Sequence, residues 1–368
     1  MNDLSMSARP SGHGSANGET LVEVEDLKVH FPIRGGLFGA PTGAIKAVDG
    51  VSFTIREGET LGLVGESGCG KSTTGRALVR IAEPTAGHIH YRHRDSGSTV
   101  DLANLPKRDL RPFRHEIRMI FQDPYSSLNP RMTVLDLVGE PLKVNKLARG
   151  SELEDRVGAL LQKVGLRPEY MRRYPHAFSG GERQRIGIAR ALATNPSLVL
   201  CDEAVSALDV SVQAQTLNLL RDLQAEFGLA YLFIAHDLSV VEFISDRVAV
   251  MYVGKIVEIG TVEEVYGTPR HPYTEALLSA APIPDPRLRH SAARIRLSGD
   301  VADPASPPAG CAFHPRCRYA QDRCRTETPA LRETESGSLA ACHFAETLTL
   351  QGVTSATHRE TRSSTRRV

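Results

Sequence analysis

Gly65-Glu66-Ser67-Gly68-Cys69-Gly70-Lys71-Ser72 fits the phosphate-binding pattern G-x-x-x-x-G-K-[ST] at every fixed position. The glycines let the backbone curl so that successive N–H groups point inward at negative charge. Lys71 is placed to reach the β- and γ-phosphates of a nucleoside triphosphate, and the Ser72 hydroxyl suits Mg²⁺. Both flanks agree with that use. Glu59-Thr60-Leu61-Gly62-Leu63-Val64 reads as a short buried strand, and Ser72 to Ile81 reads as a helix. The helix start, with Thr73 as a further phosphate contact, adds its partial positive charge to the anion site. The stretch therefore sets an α/β class: a phosphate-loop NTPase core binding a nucleoside triphosphate and Mg²⁺.

Working outward, Leu21-Val22-Glu23-Val24-Glu25-Asp26-Leu27 alternates apolar and polar, and Val48 to Ile55 reads as a second strand. Together they suggest an antiparallel β subdomain ahead of the core. Residues 123 to about 185 are turn-rich and then helical. Leu153, Val157, Leu160, Leu161 and Val164 recur at helical spacing, so an inserted helical subdomain is expected. Ser197 to Asp202 and Ala230 to Ala235 are near-continuous apolar runs, as central parallel strands require. From Pro269 the chain turns Pro-rich and then Cys-bearing. The expected division is a tail over 1–20, an ATPase unit over 21–268, a Cys-bearing extension over 269–346 and a second tail over 347–368.

Two further acids belong beside the phosphate loop. Asp202 and Glu203 close an apolar strand. Alone they would be an ordinary solvated strand end. Downstream of a phosphate loop, Asp202 is placed to hold Mg²⁺ and Glu203 to position the attacking water. Ser179-Gly180-Gly181 opens the helical run Arg183 to Leu192 and makes a second anion site. Two phosphate sites in one chain suggest that each nucleotide is shared between two subunits. His236, after the strand Tyr231-Leu232-Phe233-Ile234-Ala235, stands where it could donate to a γ-phosphate.

Composition narrows the function classes. Forty-four basic against 43 acidic residues give a net charge of +1, which does not favour bulk nucleic-acid binding. Trp is absent and aromatics are 5%, a poor base-stacking platform. No nucleic-acid partner is expected. Met1 to Glu19 lacks an apolar signal core, and no run spans a bilayer, so a cytosolic chain is expected.

With these residues in order, the chain resembles the ATP-binding subunits of ABC transporters over about residues 21 to 345. The order is the phosphate loop, Gln122 as the Q-loop, Phe178-Ser179-Gly180-Gly181-Glu182 as the signature, Asp202-Glu203, Ser206-Ala207-Leu208-Asp209 as the D-loop and His236. The resemblance implies that Phe31 stacks on adenine and that Gln122 senses the γ-phosphate or joins Ser72 and Asp202 around Mg²⁺. Glu203 and His236 become the catalytic pair. The signature carries Phe178 for the usual Leu and Glu182 for the usual Gln, with Ser-Gly-Gly intact. Val29 to Leu37, the run Phe121-Gln122-Asp123-Pro124 to Asn129-Pro130, and Arg270-His271-Pro272-Tyr273-Thr274 resemble the oligopeptide/dipeptide importer branch, which also handles nickel and related small solutes. That branch implies a paralogous ATP-binding subunit as heterodimer partner, two membrane permease subunits and an extracytoplasmic solute-binding protein. The chain would sit peripherally on the cytoplasmic face of the inner membrane. A soluble, non-transport ATPase with the same core is the competing class, and it usually carries two fused nucleotide domains or long coiled coils.

Cys311, Cys317, Cys324 and Cys342 are spaced C-x5-C-x6-C-x17-C. Thiolates suit a [4Fe–4S] cluster or Zn²⁺, and His314 or His343 could substitute in a zinc site. The spacing matches neither a zinc ribbon nor a ferredoxin run, so free thiols also stay open. Extensions of this kind in peptide-importer ATPases can hold a [4Fe–4S] cluster, which favours iron–sulfur.

Overall fold

The computed structural model describes residues 18–34, 41–94, 96–123, 125–280 and 295–353. Most of the expected terminal tails, Gly35-Gly36-Leu37 and Pro124 lie outside the described residues. Strands β1 (Thr20–Arg34) and β2 (Pro41–Arg56) pair antiparallel. β1 runs past Leu27, and its inward residues Val22, Val24, Leu27 and Val29 are buried. Its outer half carries Phe31, 46% exposed and available to stack on a flat ligand. Strand β3 (Thr60–Val64) and helix α1 (Lys71–Leu78) flank the phosphate loop. Strands β4 (Ala86–Arg92) and β5 (Thr99–Asp101) complete a four-stranded sheet ordered β2-β1-β4-β5.

The second sheet holds the chemistry. Its parallel heart is β3, β6 (Ile117–Ile120), β7 (Leu198–Asp202), β8 (Ala230–Ile234) and β9 (Arg247–Tyr252), with β3 between β9 and β8. Every residue of β3, β7 and β8 is buried. Both faces of these strands are covered, which explains why their sequences show no alternation. Between β6 and β7 the chain inserts helices α2 (Val134–Val144), α3 (Gly150–Lys163) and α4 (Gly180–Leu192). Leu153, Val157 and Leu161 turn inward on α3, and Val164 is buried just past its end. Phe178 is buried too, edge-on to Tyr170 at 5.7 Å, so the larger ring fills space where the commoner Leu would sit. After β7 come α5 (Val210–Phe227), β8, α6 (Leu238–Ile244), β9 and β10 (Lys255–Thr261).

The extension is woven into the sheet. After α7 (Val262–Gly267), α8 (Pro272–Ser279) and α9 (Asp322–Thr326), strands β11 (Arg332–Glu333) and β12 (Leu339–Ala340) extend the far edge of the eight-stranded sheet. β12 pairs antiparallel with β10, Glu258 opposite Ala340 and Ile259 opposite Leu339. Tyr273 and Phe313 are fully buried against Tyr252, with ring centroids 4.6 and 5.3 Å from it. The aromatic triad ties the extension to β9, the strand beside β3. Among the described residues no helix is long and apolar enough to cross a membrane.

Candidate functional site

The carboxyl ends of the parallel strands bring the site together, as expected where a ligand lies beyond an open α/β sheet. Ile120 of β6 is in register with Cys201 of β7, and Asp202 of β7 with Ile234 of β8. Gln122, Glu203 and His236 therefore emerge side by side, each one or two residues past its strand. β3 ends at Val64, one residue before the phosphate loop.

The loop is shaped by its glycines. Gly65, Gly68 and Gly70 have φ of +151°, +79° and +108°. A Cβ on Gly70 would fall 2.1 Å from the Ala47 carbonyl oxygen, and one on Gly65 would fall 2.2 Å from that of Met251. Only glycine fits at these two points. Lys71 is 6% exposed, and its Nζ donates to the carbonyls of Gly65 at 2.8 Å and Glu66 at 3.0 Å. The loop's own carbonyls thus satisfy an ammonium that forms no ion pair among the described residues. Cys69 is buried, and burial pushes its thiol up.

Next to the loop, the Ser72 hydroxyl donates to Asp202 Oδ1 at 2.7 Å. Asp202 is 1% exposed, with Arg76 Nη2 3.4 Å from its other oxygen. Two hard oxygen donors at a phosphate-loop helix start suit Mg²⁺. One residue on, Glu203 has φ +49°, a left-handed conformation costly for a non-glycine residue. Its N–H donates to the Ile234 carbonyl at 2.9 Å, which holds the turn. Glu203 Oε2 accepts from Gln122 Nε2 at 2.7 Å and lies 3.5 Å from His236 Nδ1. Three residues of the expected site thus meet on one carboxylate oxygen.

The signature loop lies at the start of α4. Ser179 is its N-cap. Its N–H and its hydroxyl both donate to Glu182 Oε2 at 2.8 Å, and the Glu182 N–H returns to the Ser179 hydroxyl at 3.3 Å. Glu182, in place of the usual Gln, closes a capping box that fixes Ser-Gly-Gly. The hydrogen bond from the Ser179 N–H, reinforced by its hydroxyl, holds the Glu182 carboxyl below its ordinary range. Among the described residues of this one chain, the signature joins none of the hydrogen bonds at the phosphate loop.

The four extension cysteines come together. Cys311, Cys317, Cys324 and Cys342 line one cavity, with His314 and His343 beside them. None of the four is in a disulfide. Burial pushes Cys317 up to about 12 and Cys342 up to about 11. Among the described residues, however, no group of three or more His, Cys, Asp or Glu side chains is already arranged around a metal position.

Sequence reasoning missed Arg316, which pairs with Glu66 across 250 residues, and gave Tyr273 no role at the loop, although its hydroxyl accepts the Glu66 N–H. Glu66 itself, an acid within a phosphate loop, was the one available signal that a cation should be sought.

Residues 48–206 match the family model for ABC transporters, and residues 257–324 match that for the oligopeptide/dipeptide transporter C-terminal region. The chain is 51% identical to the oligopeptide transport ATP-binding protein AppF of Bacillus subtilis (strain 168) over 331 residues, 90% of this chain and 99% of that protein. It is 51% identical to oligopeptide transport ATP-binding protein OppF of Escherichia coli (strain K12), covering 85% of this chain and 93% of the relative. It is 50% identical to dipeptide transport ATP-binding protein DppF of Haemophilus influenzae, covering 88% and 96%. Among solved structures, the dimeric ATP-binding cassette MJ0796 in a post-hydrolysis state with ADP and phosphate superposes with a TM-score of 0.57. It is 27% identical, covering 66% of this chain and 99% of that one.

Proposed function

We propose that this chain, which belongs to the ABC transporter family and carries the C-terminal region of its oligopeptide/dipeptide branch, hydrolyses ATP to drive the uptake of peptides. The observation that carries the reading is the convergence of Gln122, Glu203 and His236 on one carboxylate oxygen beside a complete phosphate loop. Lys71 meets the β- and γ-phosphates. Ser72, Asp202 and Gln122 supply oxygen donors for Mg²⁺, which when bound neutralises charge on the phosphate oxygens. Glu203 orients the attacking water, and His236 donates to the charge that develops on the γ-phosphate. Phe31 stacks on the adenine. Because Ser179-Gly180-Gly181 stands apart from the chain's own loop, it serves a nucleotide held by a second, paralogous subunit. Residues 123–134 meet the membrane permease subunits on the cytoplasmic face of the inner membrane, and a solute-binding protein delivers the peptide outside.

The test is uptake. Deleting this chain in its host should abolish accumulation of labelled di- and oligopeptides, and the wild-type chain should restore it. Undiminished peptide uptake with lost nickel uptake would overturn the peptide reading and keep the ATPase.

We further propose that Cys311, Cys317, Cys324 and Cys342 hold a [4Fe–4S] cluster, with zinc as the alternative. The donor chemistry supports this. Four thiols share one cavity, and backbone N–H groups face the sulfurs, that of Phe344 lying 3.4 Å from Cys342 Sγ. Such donors stabilise thiolate ligands. Anaerobically purified chain should be brown, absorb broadly near ~400 nm and carry about four irons, whereas zinc would be colourless at about one per chain. Cys324→Ser should lower the stability of the extension. Absence of both metals, with all four thiols freely alkylated, would exclude the centre.

A further inference from the structure

The extension reaches back to the phosphate loop. Arg316 lies in the short turn between Cys311 and Cys317. Its Nη1 donates to Glu66 Oε2 at 2.7 Å and its Nη2 to Oε1 at 3.0 Å, a two-point fork. The Arg316 side chain is 9% exposed and that of Glu66 27%, so the fork is partly shielded from water. From the same side the Tyr273 hydroxyl accepts the Glu66 N–H at 2.8 Å. Tyr273 is rigidly held. Its ring packs on Tyr252 and Phe313, and its N–H donates to His271 Nδ1 at 3.1 Å. The N–H groups of Arg270 and His271 in turn donate to the buried Glu258 carboxylate on β10, at 2.7 and 3.0 Å. The extension therefore grips both the backbone N–H and the carboxylate of Glu66, while the Glu66 carbonyl accepts from Lys71.

Glu66 poses an electrostatic difficulty. It puts a negative charge inside a loop whose ligand carries several more. A bidentate guanidinium both cancels that charge and fixes its direction, which a lysine cannot do.

We propose that Arg316 and Tyr273 are positioning residues for the nucleotide site: they hold the phosphate loop through Glu66 and cancel its charge, so that nucleotide affinity depends on the docked extension. The proposal rests on the reading that this loop binds nucleotide. Failure of the unaltered chain to bind Mg-ATP would sink that reading, whereas the variants below test the clamp alone.

Mg-ATP affinity is measured by titration of the purified full-length chain, and backbone hydrogen exchange is followed over residues 61–72. R316Q should bind about tenfold more weakly, a change of about 1.4 kcal/mol. E66Q/R316Q should bind several-fold more tightly than R316Q, because the stranded carboxylate is gone. A merely structural role for Arg316 would not produce that rescue. Y273F should speed exchange in the loop peptide. R316K, which keeps the charge but loses the fork, should fall between parent and R316Q, and it serves if R316Q does not fold. The proposal is overturned if R316Q, or failing that R316K, binds and exchanges like the parent. It is equally overturned if E66Q/R316Q is no tighter than R316Q.

Discussion

Glu203→Gln is expected to leave ATP binding intact and to reduce phosphate release by about a thousandfold, within the range that a positioned general base contributes. The substitution keeps the shape of a side chain already crowded by Gln122 at 2.7 Å and His236 at 3.5 Å. It removes only the negative charge that orients water and accepts its proton. The backbone at φ +49° stays strained in either case, because the turn is held by the N–H bond to Ile234 and not by the side chain. Binding should persist, since Lys71, Ser72 and Asp202 are untouched. The measurement is single-site turnover in the assembled pair, with the corresponding glutamate of the partner also changed so that a second active site cannot hide the effect. Near-parental turnover there would remove Glu203 from the chemistry. A collapse of ATP affinity in parallel would instead make it a binding residue.

The part of the fold that the sequence disclosed is the part governed by local rules. The phosphate loop requires its strand and helix, and β3 and α1 lie where those rules put them. The unbroken apolar runs of β7 and β8 were legible as central parallel strands, because burial on both faces removes alternation. Glu203 and His236 could be singled out because each follows an apolar run legible as a strand, whereas Gln122 was pointed to by the family resemblance alone. That Gln122, Glu203 and His236 share a single oxygen was not legible, because it depends on the register of three strands. The left-handed turn at Glu203 was hidden for a related reason: glutamate gives no local sign of positive φ, and the conformation is imposed from outside.

The extension shows where local rules stop. β11 and β12 have two residues each, too short for any periodicity, and exist only because β10 offers an unpaired edge. A Pro- and Cys-rich stretch with little visible core reads as a separate module. In the structure its core is borrowed: Tyr273 and Phe313 pack on Tyr252 of β9. The cysteine spacing disclosed a cluster of thiols, and their meeting in one cavity follows from the turns around Phe313 and the return of the chain through β12.

Lys71→Ala is expected to weaken Mg-ATP binding about a hundredfold or more, the loss of two charge-assisted hydrogen bonds at roughly 1.5–3 kcal/mol each. In the structure the ammonium bridges the carbonyls of Gly65 and Glu66 inside the loop. Its removal strands two acceptors, one of them on Gly65 at φ +151°, so a second effect is a loss of about 1–2 kcal/mol in stability. The two effects separate by measurement. Thermal unfolding without nucleotide reports the loop's internal bonds, and ATP titration at a temperature where the variant is fully folded reports the phosphate contacts. The ligand effect should be the larger, because the glycines that aim the N–H groups, required where the backbone passes close to Ala47 and Met251, are kept in the variant. ATP affinity within threefold of the parent, in a variant shown to be folded, would mean that the loop's N–H groups carry the binding and that Lys71 serves only to close the loop.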